Sequence, residues 1–168
     1  MREVNIRLWK DSDFESFAQM HSDPDVMQYL NPLTRDDAKN LFEYIQNEFV
    51  RDGWGIWAVE VDSVFAGMAG LHVPKWEMPF TPCIEALWRF KKKFWGCGVA
   101  YEASSQAIRY GFTTAQLKEI VTFTTPANQR SIRLIERLGF RRDAKNDFEH
   151  PEIEEGNPHR NHIFYRLT

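Results

Sequence analysis

A chain of 168 residues is the size of one domain and long enough to bury a real core, so no second domain is expected. The net charge of -3, with both signs mixed along the chain, excludes the broad basic surface that nucleic acid requires. No apolar run approaches the ~20 residues of a membrane helix, and Met1-Arg2-Glu3-Val4-Asn5 lacks the apolar stretch of a signal peptide, so the expectation is a cytoplasmic protein without membrane contact. Cys83 and Cys97 are too few for a disulfide framework and have no metal-ligand spacing, so no metal is expected.

In chain order, Val4 to Trp9 alternates apolar and polar residues like a strand. Ser12 and Glu15 have capping-box spacing ahead of Phe14, Phe17 and Ala18, which predicts a short first helix. Thr34 with Asp37 marks a second helix start, after which Ala38, Leu41, Phe42, Ile45 and Phe49 share one face and Gly53 ends the run. Trp54 to Val61 and Val64 to Leu71 read as two strands joined at Asp62-Ser63, a hairpin signal.

Ile84 to Phe90 reads as a further strand. It leads through Lys91-Lys92-Lys93-Phe94-Trp95-Gly96-Cys97-Gly98 into a helix from Val99 to Phe112, with Val99, Ala103 and Ala107 spaced to pack on a sheet. Glycines in such a turn leave no Cβ between backbone and ligand, so free N–H groups can converge on an anion; they also serve simply to make a bend. Cys97 is either a thiol with a lowered pKa at a helix start or a tolerated small residue. Ile120 to Thr124 is a β-branched strand, and Asn128 starts a helix with Ile132, Ile135 and Leu138 as its apolar positions. Gly139 closes that helix, and His162 to Leu167 supplies a last strand. Between them Asp143 to Arg160 is polar, holds Pro151 and Pro158, and is longer than most connections.

Two blocks carry a resemblance. Lys93-x-x-Gly96-x-Gly98-x-Ala100 is similar to the acetyl-coenzyme A block of the GCN5-related N-acetyltransferases (GNAT), and Thr124-Thr125-Pro126-Ala127-Asn128-Gln129-Arg130-Ser131 with Glu136-Arg137-Leu138-Gly139-Phe140 resembles their second block. Trp88-Arg89-Phe90 with Phe94-Trp95-Gly96 looks most like the RimJ/RimL branch, and the resemblance runs from Ile6-Arg7-Leu8 to Tyr165-Arg166-Leu167. A dinucleotide-binding reading fares poorly, because no third glycine follows and the turn comes after several strands instead of the first.

The resemblance implies a mixed α/β (α+β) acyl-CoA N-acyltransferase fold. Its central sheet is mixed and mostly antiparallel, helices flank it, and residues 1–168 form one N-acetyltransferase domain. It implies that backbone N–H groups around Phe94, Gly96, Cys97, Gly98, Val99 and Ala100 hold the coenzyme pyrophosphate. Trp88, Arg89 and Phe90 would pair with the pantetheine arm like a neighbouring strand, bringing a backbone N–H to the thioester carbonyl. Asn128 would meet the pantetheine amides, cap its helix, or do both. Lys93, ahead of Lys91, Lys92, Arg130 and Arg133, would meet the phosphates, or these cations form a solvated surface.

Acetyl transfer needs a neutral amine and a proton for the departing thiolate. Glu85, on the strand before the cradle, is either the base that takes the ammonium proton through water or a solvent-facing strand residue. His72, Glu149 and His150 are secondary candidates. The family's usual tyrosine acid falls at Ile135, and Ser131 is the nearest polar residue able to hydrogen-bond the thiolate, or is a small residue in a first helical turn.

The acceptor site is expected from Tyr29-Leu30-Asn31-Pro32-Leu33, Trp54-Gly55-Ile56-Trp57 and the loop with Phe148, Glu149, His150 and Pro151. The implied reaction moves the acetyl group of acetyl-CoA to a primary amine by direct attack in a ternary complex. A protein or peptide N-terminal α-amino group leads as acceptor, and a polyamine, amino acid or antibiotic follows. A non-catalytic acyl-CoA sensor is the rival from another class. Dimerisation is common in such proteins, so the resemblance admits a homodimer.

Overall fold

The computed structural model describes residues 2–168; Met1 lies outside them. Strand β1 (Val4–Arg7) leads through a single 3-10 turn (Asp11–Asp13) to α1 (Phe14–Ser22) and α2 (Arg35–Asp52). The hairpin β2 (Ile56–Val61) and β3 (Val64–His72) follows, then β4 (Glu85–Phe90), α3 (Val99–Thr113), β5 (Ile120–Thr124) and α4 (Gln129–Arg137). Two short strands, β6 (Arg141–Arg142) and β7 (Phe148–Glu149), precede β8 (Asn161–Leu167).

These eight strands form the order β1-β2-β3-β4-β5-β8-β6, with β7 also on β8. Every neighbouring pair is antiparallel except β4 and β5. Helices α1 and α2 cover one face of the sheet, burying Phe17, Met20, Phe42 and Ile45 against Ile56, Ala58 and Met68. Helix α3 covers the other, where Val99 and Ala103 meet Val59, Ala66 and Phe90. The small-residue stripe of α3 extends to Gly111, where a Cβ would come within 2.8 Å of Leu71 Cδ1.

The predicted elements hold with two local corrections. The strand expected to reach Trp9 stops at Arg7, because the Trp9 indole turns inward to donate to Ile56 O at 2.7 Å and pack on Phe17 and Phe42. The capping box expected from Ser12 and Glu15 does not form. Asp13 organises that entry instead, accepting from Lys10 N–H at 2.9 Å and binding the Arg7 guanidinium through both oxygens, while Glu15 pairs with Arg35.

Other local signals act as their chemistry dictates. Thr34 Oγ1 accepts from Asp37 N–H at 3.2 Å and Gly53 ends α2 with φ 72°. Asp62 and Ser63 both take positive φ, 48° and 65°, the turn that a two-residue hairpin needs. Among the described residues no cluster of three metal-ligating side chains occurs, and no helix is long and apolar enough to cross a membrane.

Candidate active site

The site originates in one break in the sheet. Strands β4 and β5 share a single residue pair, Glu85 with Val121. Val121 N–H donates to Ile84 O at 2.8 Å, and the Thr122 hydroxyl donates to Ala86 O at 2.9 Å, after which the strands part. Lys91 N–H donates to Ala66 O on the other side of β4, which sets the parity of the strand. Glu85, Leu87 and Arg89 turn their backbone groups to β3, whereas Ala86, Trp88 and Phe90 turn theirs toward β5. Phe90 O accepts from the Trp95 indole at 2.8 Å, so Trp88 N–H, Trp88 C=O and Phe90 N–H face the gap. Arg89, expected to offer its backbone there, has spent it on β3. The gap opens into a cavity of about 730 Å3.

At the mouth of this cavity lies the glycine turn. Lys92–Phe94 make one 3-10 turn, then Gly96 (φ 72°) and Gly98 (φ 85°) take left-handed conformations, and α3 begins at Val99. A Cβ built on either glycine meets nothing within 4 Å. The glycines are therefore dictated by backbone conformation, and the space above them is open to a ligand. The first intrahelical bond runs from Glu102 N–H to Gly98 O, so the N–H groups of Val99, Ala100 and Tyr101 have no intrahelical acceptor. This arrangement is a seat for an anion.

Helix α4 forms the opposite wall. Asn128 Oδ1 caps it by accepting from Ser131 N–H at 3.2 Å, and both residues line the cavity. Ile135, one turn further on, is fully buried among Leu71, Ala86, Ile108 and Ile120. Of the expected cations, Lys93 is exposed over the Phe94 ring, Lys92 pairs with Asp25 and Lys91 lies over Phe65; none of these lysines lines the cavity. The expected Arg130 and Arg133 do line it, together with Arg137 of α4 and Arg89 of β4; Arg130 stacks on Trp95 at 4.3 Å and Arg137 on Tyr101 at 4.2 Å. Val99 is buried in the core, and the exposed Cys97 donates its thiol hydrogen to Phe94 O at 2.9 Å.

Glu85 stands at the vertex where the strands part. Its cross-strand neighbour is His72, and His72 Nε2 lies 2.7 Å from Glu85 Oε2. Burial alone would push this imidazole down, but the charge and hydrogen bond of Glu85 outweigh it and its pKa lies above the ordinary value. The pair can hold a proton at the floor of the cavity.

The acceptor-side expectations are met unevenly. Tyr29, Leu30 and His150 line the cavity, and the Tyr29 hydroxyl donates to Ala127 O at 3.2 Å, tying the α1–α2 segment to the turn before α4. The strand Trp54 to Trp57 does not line it; Trp57 is buried against Phe49 and Tyr110. Phe148 is likewise buried, and Glu149 pairs outward with Arg160. In their place stand Trp76, from the β3–β4 connection, and His162 of β8, 5.0 Å from the His150 ring. Burial pushes both of these imidazoles down. No periodic signal marks Trp76, whereas Arg130, Arg133 and Arg137 recur at helical spacing.

A mostly antiparallel sheet split at one parallel pair leaves an open cleft with free backbone N–H donors at its mouth. The sequence matches the acetyltransferase (GNAT) domain over residues 3–141, and the chain belongs to that family. YkkB of Bacillus subtilis is 30% identical over 142 residues, covering 81% of this chain and 80% of that protein. The FsC-acetyl coenzyme A-N(2)-transacetylase of Aspergillus fumigatus is 30% identical over 150 residues, covering 82% of this chain and 64% of that protein. The crystal structure of a GNAT-family acetyltransferase from Bacillus anthracis superposes with a TM-score of 0.78 at 26% identity, covering 98% of this chain and 93% of that one. The protein is an acetyltransferase, and acetyl-CoA is its cosubstrate.

Proposed function

We propose that this protein acetylates the α-amino group of a protein or peptide, in the manner of the RimJ/RimL branch, by direct attack within a ternary complex. The observation that carries the acetyl-transfer part of this reading is the His72–Glu85 pair at the point where β4 and β5 separate; the peptide acceptor rests on the resemblance to the RimJ/RimL branch. The coenzyme pyrophosphate would sit on the N–H groups after Gly98, with Arg130 and Arg133 as counter-charges, and the pantetheine arm would run along Trp88 and Phe90. A substrate ammonium loses its proton through water to Glu85, which His72 holds in place. The free amine attacks the thioester carbonyl, a backbone N–H of β4 stabilises the oxyanion, and the C–S bond breaks as the attacking nitrogen gives up its second proton to solvent, leaving a neutral amide. Ser131 hydrogen-bonds the departing thiolate, which takes its proton from solvent.

A second acceptor class, a small amine, is favoured by the Aspergillus relative, whose name describes N(2) transacetylation with acetyl-CoA. Acetyl-CoA-dependent thiol release against N-terminal peptides, spermidine and free amino acids tests both. Turnover of peptides alone supports the leading reading, and turnover confined to small amines replaces it. Coenzyme binding without release from any acceptor would overturn the acetyl-transfer mechanism proposed for this site.

A further inference from the structure

The strand that carries Glu85 also carries an arginine without a counter-ion. Side chains alternate along β4, so Glu85, Leu87 and Arg89 share the face covered by α1 and α2. Glu85 and Arg89 both line the cavity. Among the described residues Arg89 makes no ion pair and no side-chain hydrogen bond. Other arginines shielded by the fold are all paired. Arg7 binds Asp13 and Glu60, Arg160 binds Glu149, and Arg166 binds Glu119 and Asp143.

Arg89 is half-buried, and a guanidinium shielded from water without a paired anion costs stability that an anionic ligand would offset. Burial lowers the Arg89 pKa to about 10, still far above neutrality, so the group stays cationic. Of the cavity's carboxylates, Glu85 is held by His72 and Asp25 by Lys92, while Glu152 forms no ion pair among the described residues; only the charge of Glu85 reaches Arg89, and it makes no direct contact there. Beneath Arg89 the fully buried His21 donates from Nδ1 to Phe17 O, and its Nε2 has no partner. That imidazole is kept neutral by burial and by the charge of Arg89, so it supplies no anion either.

We propose that Arg89 binds a carboxylate on the acceptor, so that the preferred substrate carries an acid group in addition to the amine that is acetylated. The inference rests on the acetyl-transfer reading above and specifies its substrate class. Four residues along a strand separate Glu85 from Arg89 by about 13 Å at the backbone. The extended arginine side chain shortens that span. An acidic first residue of a peptide and a free amino acid both present this chemistry, and the two sources are separated by experiment.

The test compares kcat/KM for peptides beginning with Glu or Asp against their Gln and Asn isosteres, and for free glutamate against glutamine. Wild-type protein should prefer the acid by tenfold or more in one of the two series, which names the source. Arg89→Gln should erase that preference while leaving the KM for acetyl-CoA unchanged, and Arg89→Lys should restore part of it; thermal melts confirm that both variants fold. An Arg89→Gln variant that loses rate equally for acid and amide, or that weakens acetyl-CoA instead, overturns the assignment.

Calorimetry with the CoA-bound protein and the N-acetylated acid and amide products needs no turnover. Preferential, Arg89-dependent binding of the acid product without catalysis would sink the acetyl-transfer mechanism and keep the subsite. Equal binding of acid and amide would sink the subsite itself.

Discussion

His72 Nε2 and Glu85 Oε2 meet at 2.7 Å across the β3–β4 ladder, on the last residue of β4 that still pairs with β5. The proton-holding pair and the opening of the coenzyme gap are therefore fixed by the same rung of the sheet. Replacing Glu85 by Gln should lower kcat by about 10²–10⁴-fold, the range of a lost general base, with little change in acetyl-CoA affinity measured by calorimetry. A comparable loss of coenzyme binding would mean that Glu85 supports the gap and not the proton.

The same pair makes a signed prediction about pH. Glu85 raises the His72 pKa above its ordinary value, so the pair's contribution to stability is complete below the unfolded imidazole pKa and fades as pH rises through the folded one. In Glu85→Gln burial is opposed only by the weaker charges of Glu48 and Glu152, and the His72 pKa should fall from its wild-type value. NMR titration of the His72 ring in both proteins reads the shift directly. An unchanged midpoint would show that the hydrogen bond does not persist in solution.

His21 behaves in the opposite sense. Its ring is fully buried and its pKa is lowered to about 3, by burial first and by Arg89 second. The unfolded chain binds a proton below the ordinary imidazole value and the folded chain does not, so stability falls on acidification. The loss amounts to roughly 2 kcal/mol near pH 5, several degrees of Tm in a chain of this size. His21→Phe should melt close to wild type at neutral pH and decline less toward pH 5. Parallel melting curves for the two proteins would contradict the assignment.

The glycine turn and the helix cap are legible in the sequence, because glycine at positive φ and Asn at a helix start leave chemical signatures that do not depend on distant contacts, whereas the role of Lys91, Lys92 and Lys93 is not. Gly98 and Asn128 stand where those signatures predict. The acceptor side is less legible. The sequence assigns Trp54-Gly55-Ile56-Trp57 to the acceptor site, yet Trp57 is consumed by Phe49 and Tyr110. Trp76, inside a connection without periodicity, reaches the cavity through tertiary packing alone. Glu85 and His72 both carry recognisable chemistry, but their contact depends on the β3–β4 register, which the hairpin turn at Asp62-Ser63 does not determine.

Gly98 offers a clean separation of stability from binding. A methyl group there meets no protein atom within 4 Å, so Gly98→Ala pays only for the left-handed backbone, about 1–2 kcal/mol. The same methyl intrudes on the open space over the first turn of α3. Acetyl-CoA affinity should fall by at least tenfold in calorimetry while urea unfolding shows the small loss stated. Equal affinity for the variant would move the pyrophosphate away from this turn.

Ile135 occupies the position where many GNAT proteins carry a tyrosine acid, and reinstating that residue is an obvious attempt to raise the rate. Here the side chain is fully buried among Leu71, Ala86, Ile108 and Ile120, on the core side of α4, whereas Ser131 lines the cavity one turn earlier. Ile135→Tyr adds ring volume to a filled core and strands a hydroxyl there, at a cost of about 2–5 kcal/mol when overpacking and the unpaired polar group are combined. Single-turnover rates per folded molecule should not rise, and Ser131→Ala should slow the thiolate step several-fold with coenzyme affinity intact. A stable and faster Ile135→Tyr protein would show that the first turns of α4 can rotate to present that position to the thioester.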